Sequence, residues 1–171
     1  MENKTNKTSK TTLSLAIALG LLSSASFAAP ASIPTALVGS WVYSQGSSTT
    51  YVNTATGATS DPGGIALYYQ FNADGTYGYA YRESVTNYNC TTTFTVYKAG
   101  RLQVNGNKLV LQPTQGQATY IATCSPSLNS DRALRSDELR DDPYTWSLAK
   151  DNGGLVLTTP SGATGTLRPW K

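Results

Sequence analysis

Histidine is absent from all 171 residues of the chain, and cysteine occurs only twice. Without imidazole there is no Ser-His or Cys-His nucleophile pair, and the commonest metal ligand and proton shuttle is missing. Charge is sparse as well, with Asp, Glu, Lys and Arg making up 13% of the residues. No basic cluster interleaves with aromatics as a nucleic-acid groove requires, and neither a Gly-rich phosphate loop nor calcium-loop spacing occurs. No cofactor, metal or nucleic acid is expected. What remains for catalysis is a pair of carboxylates facing across a cleft. Most of the acids beyond the N-terminal segment lie between 131 and 142, where they alternate with arginines as a solvated charge run does. The others include Asp61, Asp74 and Glu83, of which Asp74 falls in a turn that favours aspartate and Glu83 has no evident partner. No residue is assigned as catalytic, and an enzyme is the least favoured class.

Long apolar runs are lacking too. Lys4, Lys7 and Lys10 precede an apolar run from Leu13 to Leu22, which is followed by the small-residue site Ser26-Phe27-Ala28. That is the pattern of a secretory signal peptide, and the run is shorter than the ~20 residues a spanning helix needs. The alternative is a leader retained as an anchor. The expected organisation is therefore a signal peptide at 1–28, a short linker at 29–36 and one domain at 37–171, exported to the periplasm or the medium, with no membrane span. After residue 28 the chain keeps ten basic and nine acidic residues, close to neutrality. Export also takes Cys90 and Cys124 to a compartment where a disulfide persists. They are expected to pair as a structural staple, contributing about 3 to 4 kcal/mol in the chain-entropy account.

The period along most of the remaining chain is two. Ile65, Leu67, Tyr69 and Phe71 share one strand face, and Ala66, Tyr68, Gln70 and Asn72 the other. Phe94 and Val96, Leu102 and Val104, Leu109 and Leu111, Tyr144, Trp146 and Leu148, and Leu155 and Leu157 are further inward candidates. Turn chemistry separates these runs at Asn72-Ala73-Asp74-Gly75, Asn105-Gly106-Asn107, Asp151-Asn152-Gly153-Gly154 and Ser161-Gly162. An Asn-Gly pair supplies two positive-φ positions to a tight hairpin. The expectation is an all-β antiparallel barrel or sandwich of about 8–10 strands. Two stretches, Asn105 to Pro113 and Asn152 to Pro160, each read as a turn, then a short apolar strand stopped by proline. The segment 125–143 breaks the pattern with eight of the nineteen charges. It is expected to be a solvated surface loop, with a helical turn or two around Arg132 to Arg140 as an alternative, and its functional reading is a lid over a barrel end. Ser44 to Gly64 is a second long variable stretch.

Tyrosine is what the chain has in quantity, at 11 residues. Tyr77, Tyr79 and Tyr81 alternate and so point the same way, with Gly78, Ala80 and Arg82 opposite. Facing inward they would line a cavity with apolar rings and a few hydroxyls, or simply fill a core. Facing outward they would stack on sugars or a partner, or pair across strands.

Gly39-Ser40-Trp41 on the first strand, followed by meandering hairpins, resembles the calycins: lipocalins and the related avidin and fatty-acid-binding barrels. The Phe71-to-Tyr77 hairpin is similar to that of many bacterial lipocalin-like domains, whereas the Thr-Asp-Tyr motif of classical lipocalins is not found. The resemblance implies an up-and-down, lipocalin-like barrel in which Gly39 and Trp41 help build the floor and Arg168 lies across the indole. Two functions are expected from different classes. One is a carrier of a small, mostly apolar ligand lined by Tyr69, Phe71, Tyr77, Tyr79, Tyr81 and Trp146. The other is a non-enzymatic interaction protein, an inhibitor or envelope factor, that docks on a protein partner through the loop 125–143.

Overall fold

The computed structural model describes residues 32–46, 52, 54–57, 63–88, 90–150 and 153–171. The leader at 1–28, residues 29–31 of the linker, Asp61 and much of the stretch between Ser44 and Gly64 lie outside them. Within them the alternating runs become strands β1 (Gly39–Gly46), β2 (Gly64–Phe71), β3 (Thr76–Asn87), β4 (Cys90–Asn105), β5 (Lys108–Ala122), β6 (Ser130–Ala133), β7 (Asp142–Leu148), β8 (Leu155–Thr158) and β9 (Thr164–Pro169). Each of β1 to β5 pairs antiparallel with the next, β7 takes the first half of β5, and β8 and β9 follow. The ring closes where Trp41 faces Pro169 and Val42 faces Arg168. The result is a closed antiparallel barrel of eight strands, with β6 added on the second half of β5. Closure leaves the eight wall strands without a continuous free edge, as the expected fold class requires.

Turn residues set the registers. Asp74 accepts from the backbone N–H of Thr76 at 2.9 Å and from its hydroxyl at 2.7 Å. These bonds hold its carboxyl below the usual aspartate range and give it a local role. Between β4 and β5 the register Asn105 to Lys108 leaves a two-residue turn, Gly106-Asn107. Gly106 has φ of 59°, and Tyr88 is the one non-glycine residue with positive φ among those described. The turn thus has the glycine-first pattern of type II′ rather than the two positive positions expected of Asn105-Gly106. Pro113 does not stop its strand either. It sits where the β4–β5 register slips, Gly100 facing Pro113 and Ala99 facing Gln115, so that Thr114 is the extra residue of a bulge. A bulge tolerates the missing N–H of proline.

The core gathers at one end. Phe71, Leu109 and Leu155 are fully buried, with Leu102, Val104, Leu111, Leu157 and Leu167 around them. The segment before β1 turns on itself through Leu37 N–H to Pro34 O, 2.9 Å, and drops Leu37 into this floor with no exposed surface. Trp41 lies beside it, its indole N–H donating to Leu37 O at 2.9 Å. Gly39 starts β1 at φ of 139°, a conformation other residues rarely adopt. Trp41 is thus part of the buried cluster, and Gly39 begins the strand that carries it. Arg168 does not cross the indole. Leu167 points inward, so by alternation Arg168 points outward; it is exposed and reaches Ser44 Oγ at 3.5 Å, on the other side of the wall from the indole.

The segment 125–143 also departs from expectation. Instead of an unpaired loop it forms β6 flanked by 3-10 turns at Pro126–Leu128 and Ser136–Glu138, the second a single helical turn within Arg132 to Arg140. β6 pairs Gln117 with Ala133 through Tyr120 with Ser130. The pairing exists because β5 outruns β7: beyond Leu111 its edge is open, and β6 fills it.

Candidate functional site

Above the floor the barrel is hollow. At its open end Tyr43, Leu67, Tyr69, Tyr79, Tyr144 and Leu157 line a cavity of about 610 Å³, rimmed by residues of the β8–β9 turn. A neighbouring cavity of about 330 Å³ shares Tyr79 and Tyr144 and adds Tyr81, Lys98, Leu134, Glu138 and Asp142. Both fall in the range of small-molecule sites, ~300–1,000 Å³. The lining follows from parity. Tyr69 on β2 faces Tyr79 on β3, and Tyr79 faces Lys98 on β4, so all three point inward together. Tyr69 and Tyr79 rings lie 5.0 Å apart, tilted by 50°.

The hydroxyls are ordered. Tyr69 donates to the Tyr144 hydroxyl, and burial, with Tyr144 as the next contribution, pushes Tyr69 far above the phenol range. Burial also raises Tyr77, Tyr79 and Tyr144. These phenols stay neutral donors at any physiological pH. Tyr81 donates to Glu83 at 2.8 Å, and Lys98 bonds Asp142 at 3.2 Å. Tyr77 Oη is the one buried side-chain polar atom without a hydrogen-bond partner among the described residues. Burial is the main cause of its raised value, with the nearby carboxylates of Asp142, which lines the smaller cavity, and Asp141 adding to it.

Of the six expected lining residues, Tyr69, Tyr79 and Tyr81 face the cavities. Phe71 and Tyr77 belong to the buried floor. Trp146 packs against that floor from β7, its indole N–H donating to Gly106 O at 3.1 Å. Parity made all six inward but said nothing of depth along the barrel axis. Tyr43 and Tyr144 were missed as lining: Tyr43 lies two residues beyond Trp41 on the same strand face, and Tyr144 was read only as inward.

The charged segment forms part of the wall. Leu134 and Glu138 line the smaller cavity, and Leu134 N–H donates to Gly116 O at 2.9 Å. Arg132, Arg135, Asp137 and Glu138 pair with one another inside it, Glu138 accepting both Arg132 terminal nitrogens at 2.8 Å and the Arg135 N–H at 2.9 Å. Cys90 and Cys124 form a disulfide at the open end, with Cα atoms 5.2 Å apart, tying the start of β4 to the chain just after β5. Among the described residues no group of His, Cys, Asp and Glu is arranged to hold a metal ion, and no helix is long and apolar enough to cross a membrane. Comparison with known proteins finds no matching family model, no significantly similar curated protein and no significantly similar solved structure.

Proposed function

We propose that the chain is an exported, lipocalin-like binding protein whose open barrel end takes one small, mostly apolar molecule. The observation that carries this reading is the tyrosine-lined hollow over a filled floor, with Tyr79 and Tyr144 common to both cavities. Apolar rings supply affinity by removing ligand surface from water, while the neutral hydroxyls orient one or two polar atoms. The ligand class that fits is a compact ring system bearing a hydroxyl or carbonyl. Binding is favoured over catalysis because the carboxylates near the cavity are engaged. Asp142 is paired with Lys98, and Arg132 holds Glu138 down to about 2, the wrong direction for a general acid. Docking on a protein through 125–143 draws less support, since Arg132 and Arg135 pair with Glu138 and Asp137 of the same segment, Asp142 pairs with Lys98, and the segment contributes to the cavity wall.

Titration with 1-aminoanthracene, a neutral dye that brightens in apolar surroundings, tests the reading. Saturable uptake of one dye per chain is expected, suppressed by Leu67→Trp, which fills the larger cavity from its wall. A dye signal that never rises, or that ignores Leu67→Trp, overturns it.

A further inference from the structure

The outer wall carries a second recess, on the opposite side of β1 to β4 from the cavities. Its bottom is β3, where the outward residues are Gly78 and Ala80. Its sides are the outward residues of the flanking strands: Tyr68 faces Ala80, which faces Tyr97, and Gln70 faces Gly78. Beyond β1 the chain leaves β9 with Trp170 N–H donating to Ser40 O at 2.9 Å. This bond swings the indole against Tyr68, ring centroids 4.4 Å apart and tilted by 43°. The recess holds about 430 Å³; where it passes over the strands it also touches Trp41, Tyr69, Tyr77 and Tyr79, whose parity is inward, and among the described residues its lining has no charged side chain. Trp170 is 50% and Tyr97 45% exposed, a large aromatic surface to leave in water.

Polar groups run along one side in an ordered chain. Ser40 Oγ donates to Gln70 Oε1, Gln70 Nε2 donates to Asn72 Oδ1 at 3.2 Å, and Asn72 Nδ2 donates to Thr76 Oγ1 at 2.9 Å. Each group keeps unused capacity: the second Gln70 amide hydrogen and the Ser40 lone pairs.

We propose that this recess is a binding site for a neutral, β-linked pyranose chain. A pyranose with equatorial hydroxyls presents only C–H bonds on its two faces, and these partly positive hydrogens settle on the negative face of an aromatic ring. Its hydroxyls project at the rim, where they both donate and accept, which matches an amide and hydroxyl row rather than a cation or carboxylate. The uncharged lining gives no counter-charge for a phosphate or an acidic sugar. The recess lies on the faces of paired strands, so it offers no free edge for an added peptide strand. The missing side chain at Gly78 keeps it open. The nearest atoms to a Cβ there would be the Tyr97 hydroxyl at 3.8 Å, the Gln70 Cβ at 3.9 Å and Tyr97 Cε2 at 4.0 Å, all ordinary contacts, at an ordinary strand conformation. A larger residue is therefore compatible with the fold and incompatible with a ligand.

Calorimetric titration of the purified protein with hexasaccharides of β-1,4-glucose, β-1,4-xylose, β-1,4-N-acetylglucosamine and α-1,4-glucose, and with a proline-rich peptide, tests the site. At least one β-linked sugar should bind, and Trp170→Ala and Tyr97→Ala should each weaken it about tenfold. Gly78→Val should abolish it while the melting temperature and 1-aminoanthracene uptake stay as in the parent. Retention of uptake separates this site from the barrel cavity. Failure of every saccharide, binding indifferent to all three substitutions, or capture of the peptide alone overturns the proposal.

Discussion

Trp41 shows how far one residue is legible and where the reading stops. The family resemblance implies a floor tryptophan, and the indole lies in the buried cluster, bonded to Leu37 O and 7% exposed. Trp41→Ala is expected to cost about 3 to 5 kcal/mol, read by urea denaturation; an unchanged midpoint would remove the indole from the floor. The arginine partner was not legible, because whether Arg168 faces in or out depends on the parity of Leu167. Tyr77 marks a different limit. Alternation turned it inward correctly, yet no sequence pattern says that its hydroxyl would be buried without a partner. An unpaired buried hydroxyl costs roughly 1–3 kcal/mol, so Tyr77→Phe should leave stability equal or higher. A loss above about 1 kcal/mol would mean that the hydroxyl is bonded.

At the scale of elements, strands with inward alternation were legible and β6 was not. All four residues of β6 are exposed, so no apolar period announces it; its pairing is dictated by the open edge of β5. The same edge explains why Glu138 matters. With its folded carboxyl held at about 2 against an ordinary 4.5 by Arg132, then by the Arg135 N–H, Glu138 binds a proton less readily folded than unfolded. Its contribution is therefore present above the ordinary value and lost as pH falls toward 2. NMR titration should place the Glu138 midpoint well below that of an exposed glutamate, with the Arg135 amide shift following the same curve. Arg132→Ala should return the midpoint toward 4.5. A Glu138 that titrates in the ordinary range in the parent protein would contradict this pairing.

The whole molecule is a barrel filled at one end and hollow at the other, and that asymmetry is what a sequence states least. Closure joins β1 to β9 through two registered pairs, a contact between the first and last strands that only a family resemblance suggested. The hollow arises because large residues of like parity, Phe71 and Tyr69, or Tyr77 and Tyr79, stand at different heights. At the open end the disulfide spans a sequence separation of 34. Its reduction should cost about 3 to 4 kcal/mol, and amide exchange in reductant should quicken first in the outer parts of β4 and β5. Uniform exchange across the floor and the open end would contradict a local staple. The hollow itself is tested by the mass of the protein taken from its own host, measured under native and then denaturing conditions. A native mass that exceeds the denatured one by a single small molecule, released on unfolding, is the expected result. Identical masses would contradict a barrel that carries a ligand.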